Sequence, residues 1–205
     1  MSNYANPAID SVLPDVRVLA DTLPGERTRD VLLVLAGAAL TALGAQVAVH
    51  LPGTPVPVTL QTLAVVLAGA TLGMRRGAAS QLLYLILGLM LPVYANGTSG
   101  MGVMTGPNGG YIVGFILAAA LTGWAAERRG DRRLLVAPLT FVAGQLAIYG
   151  IGLPWLKLAT GMSWSATIAA GFTPFIVTGL LKSLAAAVAM PSAWRIQRRL
   201  SSGRV

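Results

Sequence analysis

Long apolar segments alternate with short polar connections along most of this chain, and that pattern limits its fold more than any other feature. Six segments have the length and composition of membrane spans: residues 31–50, 58–74, 77–95, 110–126, 134–153 and 167–190. A helix needs roughly 20 apolar residues to cross a bilayer core about 30 Å thick. Only 11% of the 205 residues are charged, against about 25% in soluble domains. The sequence therefore predicts an integral membrane protein.

The same segments predict helices and not the strands of a membrane barrel. Barrel strands alternate in polarity at every second residue, and these segments do not. Glycine and proline recur inside them, for example at Gly44, Gly88, Pro92 and Pro174. Neighbouring helices can cover the backbone groups that such residues free. The predicted fold class is an all-α membrane protein, a single bundle of six transmembrane helices.

The positions of the basic residues predict the orientation. Thirteen of the fifteen Lys and Arg residues precede span one, follow span six, or connect spans two to three and four to five. The positive-inside rule then places both termini in the cytoplasm, and it explains the arginines without nucleic acid. We expect a polar cytoplasmic arm over 1–29, flexible or lying on the surface over 1–26. A six-helix membrane domain over 30–192 and a basic cytoplasmic tail over 193–205 follow.

Lys182 is the only formally charged side chain within the six segments. A lysine at the centre of a spanning helix costs roughly 2.5 to 3.5 kcal/mol on insertion scales. It either faces a cavity and meets an anionic ligand, or extends to the membrane surface. The first explanation is favoured because no acidic residue lies in any span to pair with it.

The residue types at membrane depth exclude several kinds of chemistry. All seven acids lie outside the spans, which removes paired-carboxylate catalysis and the usual proton relay. One histidine, His50, and no cysteine cannot build a zinc site or a convincing catalytic triad. No ATPase motif is present, so ATP-driven work would need another subunit. We therefore expect no enzyme activity, no metal and no cofactor.

Uncharged polar side chains gather toward the predicted outer half of the spans. Together, with one lysine nearby, they suit a ligand with hydrogen-bonding edges and an apolar body, although each alone is more typical of a hydrogen bond between helices. Gln145 and Tyr149 share one helix face because they are four residues apart. The full set is Thr59, Gln61, Thr62, Gln81, Tyr84, Tyr94, Asn96, Thr98, Asn108, Tyr111, Gln145 and Tyr149.

Span one carries small residues at Ala38 and Ala42, four apart on one helix face. Such spacing permits close helix contact. The contact is either internal or with a partner protein, and the spacing alone leaves both open.

Four stretches together resemble the BioY family, the biotin-specific substrate-binding (S) components of energy-coupling-factor (ECF) transporters. The resemblance covers roughly residues 30–190. The stretches are Ala38-x-x-x-Ala42 with Gly44-Ala45-Gln46; Val56-Pro57-Val58-Thr59-Leu60-Gln61-Thr62; Leu91-Pro92-Val93-Tyr94-Ala95; and Gly106-Pro107-Asn108-Gly109-Gly110-Tyr111-x-x-Gly114-Phe115.

The resemblance implies a six-helix subunit of a bacterial plasma membrane that captures biotin from outside. It also implies a transmembrane coupling (T) subunit, docked at Ala38 and Ala42, and two ATPase subunits. Lys182 matches the lysine that meets the biotin carboxylate. Thr178 and Gly179 stand where family members often have Gly-Asp, so other polar residues must serve the ureido ring. The remaining expected contacts are Thr59, Gln61, Tyr84, Asn96, Thr98, Asn108, Gln145 and Tyr149.

Other functions remain open at this point. The chain could be a stand-alone facilitator for biotin or a related small carboxylate, because missing membrane carboxylates do not exclude passive movement. It could also be a purely structural membrane subunit. A membrane enzyme is disfavoured because no nucleophile and base occur together.

Overall fold

The computed structural model describes residues 18–23, 27–132 and 136–202. Within them the chain forms eight α-helices and one two-stranded β-ribbon, with β1 over Ala48–Val49 and β2 over Val58–Thr59. The helices are α1 Arg27–Gln46, α2 Gln61–Leu72, α3 Met74–Met90, α4 Met101–Thr105, α5 Gly109–Glu127, α6 Ala137–Thr160, α7 Trp164–Gly171 and α8 Ile176–Ser202. The described part of the chain is therefore nearly all-helical, as predicted, apart from this ribbon.

Five helical stretches of the described residues are long and apolar enough to cross a membrane. They are Arg27–Gln46, Met74–Gly97, Gly109–Glu127, Ala137–Thr160 and Trp164–Leu200. The predicted second span forms only the 12-residue helix α2, which is about 18 Å long at 1.5 Å per residue. The prediction of membrane helices therefore holds for five segments, while α2 is shorter than a usual span.

Several predicted spans differ from the structure in their bounds or their continuity. The first helix stops at Gln46, and β1 pairs antiparallel with β2, with Ala48 opposite Thr59. The fifth helix continues through Pro154 to Thr160. The sixth segment breaks into α7, a 3-10 turn over Thr173–Phe175, and α8. Pro174 explains this break, since proline has no N–H for the helix ladder.

Helix α5 lies at the centre of the bundle and packs against α2, α3 and α6. Glycines make these approaches, and that of α3 to α2, close. A Cβ on Gly114 would lie 2.9 Å from the Cα of Ile148, and one on Gly77 would lie 2.9 Å from the Cα of Gly69. Such contacts bring helix backbones together where lipid gives no hydrophobic drive for association.

Two apolar clusters fill the bundle, one above the other. The first contains Tyr84, Tyr94, Tyr111, Phe115 and Tyr149 and lies near the starts of α2 and α5. The second contains Val66, Leu72, Phe141 and Met190 and lies at the opposite end, which we call the arginine end because Arg75, Arg76, Arg128, Arg129 and Arg132 are there.

Part of the N-terminal arm packs on the arginine end. Val18 and Ala20 are each only 2% exposed and belong to the second cluster. Arg76 joins Asp21 at 2.8 Å and Asp30 at 3.1 Å. Residues 18–23 are therefore part of the packed structure. The predicted flexible arm otherwise falls on residues 1–17 and 24–26, outside the described residues.

Candidate functional site

A cavity opens at the end of the bundle opposite the arginine end. It holds about 610 Å³ of empty space, its open mouth included. The loop before β2, the residues after α3, and helices α2, α5, α6 and α8 all contribute. The lining residues are Val56, Pro57, Thr59, Gln61, Thr62, Tyr94, Ala95, Thr98, Val103, Asn108, Tyr111, Ile112, Phe115, Tyr149, Phe175 and Lys182.

The Lys182 ammonium faces this cavity. Its Nζ donates to the backbone carbonyl of Thr59 at 2.6 Å and to Thr62 Oγ1 at 3.2 Å. Both acceptors are uncharged, and no Asp or Glu is among the lining residues. A partly buried cation is costly unless it is paired, so this site favours an anion.

A chain of hydrogen bonds runs from the cavity wall to the loop after α3. Thr59 Oγ1 donates to Gln61 Oε1 at 2.9 Å, and Gln61 Nε2 donates to the Tyr84 hydroxyl at 2.7 Å. Tyr84 then donates to the carbonyl of Val93 at 3.2 Å. Tyr84 is fully buried and does not line the cavity. It therefore acts on the site through Gln61 and through the rings of Tyr94 and Phe115, which it contacts and which line the cavity.

Asn108 lines the cavity and carries a hydrogen-bonding atom without a partner among the described residues. This atom is the side-chain Oδ1, which is buried. A buried polar group without a partner costs roughly 1–3 kcal/mol. A ligand that donates a hydrogen bond here would remove that cost.

Aromatic rings form much of the remaining wall. Tyr111 and Tyr149 meet edge to face at 6.3 Å between centroids, and Tyr149 meets Phe172 in the same way at 5.0 Å. The Tyr111 hydroxyl donates to the Gly171 carbonyl at 3.0 Å, which the end of α7 leaves without a helical partner. These groups build a stiff apolar enclosure for a small ring system.

Six of the nine predicted ligand contacts line the cavity: Thr59, Gln61, Thr98, Asn108, Tyr149 and Lys182. The other three, Tyr84, Asn96 and Gln145, do not. Asn96 is exposed, with Nδ2 3.3 Å from the His50 ring. Gln145 is only 4% exposed, and neither atom of its amide has a partner among the described residues.

Sequence reasoning missed the apolar part of the lining, which includes Val56, Pro57, Val103, Phe115 and Phe175. Apolar residues are common throughout these helices, so nothing in the sequence marks those that face a cavity.

Gln81 is a polar residue that forms a hydrogen bond between helices instead of facing the cavity. It accepts from Thr41 at 3.1 Å and donates to Ser80 at 3.0 Å, which joins α1 to α3.

The two small residues of α1 lie toward the interior. Ala38 is 2% exposed and belongs to the first cluster, while Ala42 is partly buried against it. The exposed face of α1 at this level is formed by Leu40 and Leu43. In this structure the small residues therefore serve contacts within the bundle.

Membrane-length helices around a cavity with polar and aromatic walls define a multi-pass membrane protein. The fold matches a crystal structure of the S-component for biotin from an ECF-type ABC transporter, with a TM-score of 0.75 and 20% identity. The match covers 84% of this chain and 95% of that chain. At this identity the likeness shows the shared fold.

Sequence comparison identifies the family. The BioY family sequence model matches residues 15–199, so the chain belongs to the BioY family. It is 37% identical over 153 residues to the biotin transporter BioY2 of Lactococcus lactis subsp. cremoris, covering 74% of this chain and 82% of that one. It is 39% identical over 163 residues to the probable biotin transporter BioY of Pyrococcus horikoshii, covering 79% and 94%. These relatives are transporters, in agreement with the prediction that the chain is not an enzyme.

Proposed function

We propose that this protein is the biotin-binding S component of an ATP-driven, ECF-type vitamin importer. The observation that carries the proposal is Lys182, a cavity-facing cation with only uncharged hydrogen-bond acceptors. Biotin combines one carboxylate, an apolar chain and thioether ring, and a neutral ureido edge. The named relatives are biotin transporters, and the cavity has a complementary part for each of these groups.

In this proposal the biotin carboxylate binds the Lys182 ammonium. A carboxylate would take over a hydrogen bond now made to the Thr59 carbonyl or Thr62 Oγ1. The carboxylate adds an attraction between opposite charges that the neutral acceptors Thr59 and Thr62 do not supply. The pairing gains further from the low dielectric of a cavity with aromatic walls.

The ureido edge is assigned to Asn108, whose unpartnered Oδ1 accepts from a ureido N–H. Thr59, Gln61, Thr98 and Tyr149 supply the other polar lining. The thioether ring and valeryl chain lie against the aromatic walls. No cofactor enters the proposal, and Asn96 and Gln145 are not needed for it.

The proposed transporter needs partners, because this chain carries no ATPase motif. A transmembrane T subunit and two ATPase subunits would supply the energy. We assign T-subunit docking to α1, where Ala42 is partly buried beside the exposed Leu43. In the bacterial plasma membrane both termini would be cytoplasmic, with α2 acting as a short sixth span beside the five longer helices.

Calorimetry with purified protein in detergent tests the ligand. Biotin is expected to bind, and biotinamide, which lacks only the charge, is expected to bind at least about tenfold more weakly because it cannot pair with Lys182. Absence of biotin binding would refute the proposal. Equal affinity for both ligands would remove the charge pairing from it.

Uptake by sealed vesicles distinguishes an importer subunit from a stand-alone facilitator. Vesicles with this chain alone are expected to bind biotin without accumulating it, and accumulation is expected once the T and ATPase subunits and ATP are added. Biotin equilibration through the chain alone would favour the facilitator.

A further inference from the structure

Trp155 contacts the backbone segment that carries Asn108, although it does not line the cavity. Its indole Nε1 donates to the carbonyl of Gly106 at 3.1 Å. The same carbonyl accepts from the N–H of Gly109 at 3.2 Å. The Gly106 carbonyl therefore closes the turn over residues 106–109 and also links that turn to helix α6.

The indole also packs directly on the first turn of α5. A Cβ on Gly109 would lie 3.0 Å from Trp155 Nε1, and one on Gly110 would overlap Trp155 Cβ and Cγ. The ring can approach this closely because Gly110 has no side chain, whereas a side chain at Gly109 would first overlap the Met104 carbonyl. Trp155 thus touches the chain on both sides of Asn108.

Little backbone freedom is left at Asn108 between these contacts. Its carbonyl accepts from the N–H groups of Tyr111 at 3.1 Å and Ile112 at 3.2 Å. These bonds fix the backbone from which the Asn108 amide extends at the cavity wall, and its Oδ1 has no partner among the described residues. A fixed acceptor loses less entropy on binding than a mobile one.

We propose that Trp155 is a positioning residue of the ligand pocket, which sets the place of the Asn108 amide for a neutral N–H donor such as a cyclic urea. The inference deepens the proposed function and rests on it. Trp155 reaches the ligand only through Asn108, so its effect should depend on Asn108 and not on Lys182.

Double-mutant cycles measured by calorimetry with biotin test this dependence. Trp155→Phe keeps an aromatic ring and removes the indole donor, and it is expected to weaken biotin binding about threefold to tenfold. The loss should disappear in an Asn108→Leu background and persist in full in a Lys182→Met background. Trp164→Phe is the matched control, because Trp164 is 52% exposed, and it should bind within about twofold of the parent.

A second variant covers the case in which Trp155→Phe does not give a sharp thermal transition. Replacing Trp155 by β-(3-benzothienyl)alanine keeps the bicyclic shape and exchanges only the N–H for sulfur, and the same losses are expected. Unchanged affinity in either folded variant would overturn the inference, as would an equal loss with and without Asn108. If the parent protein bound no biotin, the proposed function itself would fail.

Discussion

At the scale of single residues, the site separates groups that can touch a ligand from groups that hold them. Lys182 and Asn108 face the cavity, while Tyr84 lies behind Gln61. The sequence could predict that Lys182 faces the cavity, because a single cation among apolar segments is energetically costly unless it serves a site. It could not predict whether Gln145 lines the cavity. The four-residue spacing puts Gln145 on the same helix face as Tyr149, but it does not show how far the cavity extends along that face. Tyr149 lines the cavity and Gln145 does not.

Tyr84→Phe is expected to lower both thermal stability and biotin affinity. Removing the hydroxyl leaves the buried Gln61 Nε2 and the Val93 carbonyl without this partner, a loss of about 1–3 kcal/mol. Gln61→Met removes the other partner of the same hydrogen bond. The double variant should therefore lose less stability than the sum of the losses in the two single variants. Thermal unfolding with calorimetry checks this, and strictly additive losses would show that the two side chains are independent.

At the scale of elements, glycine contacts and local breaks shape the bundle. The sequence predicted most helices because their apolar stretches are long. It missed the break after α7, since a proline inside a membrane helix can be tolerated when neighbouring groups satisfy the freed backbone. It also missed the β-ribbon, whose two-residue strands are too short to show alternation. Both lie next to the cavity, where Phe175 and Thr59 belong to the lining.

Gly123→Ala should destabilise the protein by about 1–3 kcal/mol through overpacking. The new methyl would overlap the backbone of Gly73, where α5 crosses the turn between α2 and α3. Gly150→Ala is the control, because no atom lies within 4 Å of the methyl it adds on α6. Thermal unfolding should separate the two variants, and similar melting temperatures would contradict the close packing described for α5.

Asp131 joins the connection before α6 to the end of α8. Its buried carboxylate accepts from Trp194 Nε1 at 2.7 Å, and the Arg132 guanidinium stacks 3.7 Å from the Trp194 ring. Burial raises the pKa of Asp131 from 3.8 to about 6, although the bonds from Trp194 and the charge of Arg132 act in the opposite direction. The folded protein therefore binds this proton more tightly than the unfolded chain.

Because the folded-state pKa is the higher one, this group favours folding at low pH, and that contribution is lost as the pH rises through about 6. Asp131→Asn should remove this dependence. The melting temperature of the variant relative to the parent should be highest at pH 7.5 and fall toward pH 5. A difference that stays constant across this range would contradict a raised pKa.

At the scale of the whole molecule, the arginines and the cavity lie at opposite ends of the bundle. The arginines between α2 and α3, and those after α5, lie at one end, and the cavity opens at the other. The sequence predicted this arrangement because the basic connections indicate the orientation of the helices even where the predicted bounds of the spans are inaccurate. It did not predict the short α2, because apolar residues continue past both ends of that helix.

Cysteine labelling tests the proposed orientation cleanly, because the chain contains no cysteine. Ser99→Cys, near the cavity mouth, should react with a membrane-impermeant maleimide in intact cells. Arg75→Cys, at the arginine end, should react only after the cells are lysed. Both positions are exposed in the fold, so the reverse pattern would invert the proposed topology.

Calorimetry of biotin binding to two lysine variants tests the pocket most directly. Lys182→Met removes the cavity-facing ammonium and should weaken binding by at least about tenfold while the protein still unfolds cooperatively. Lys157→Met removes the other lysine, whose Nζ bonds the Met162 carbonyl outside the cavity, and should bind within about twofold of the parent. Parental affinity in folded Lys182→Met would contradict an ammonium that binds the ligand's carboxylate.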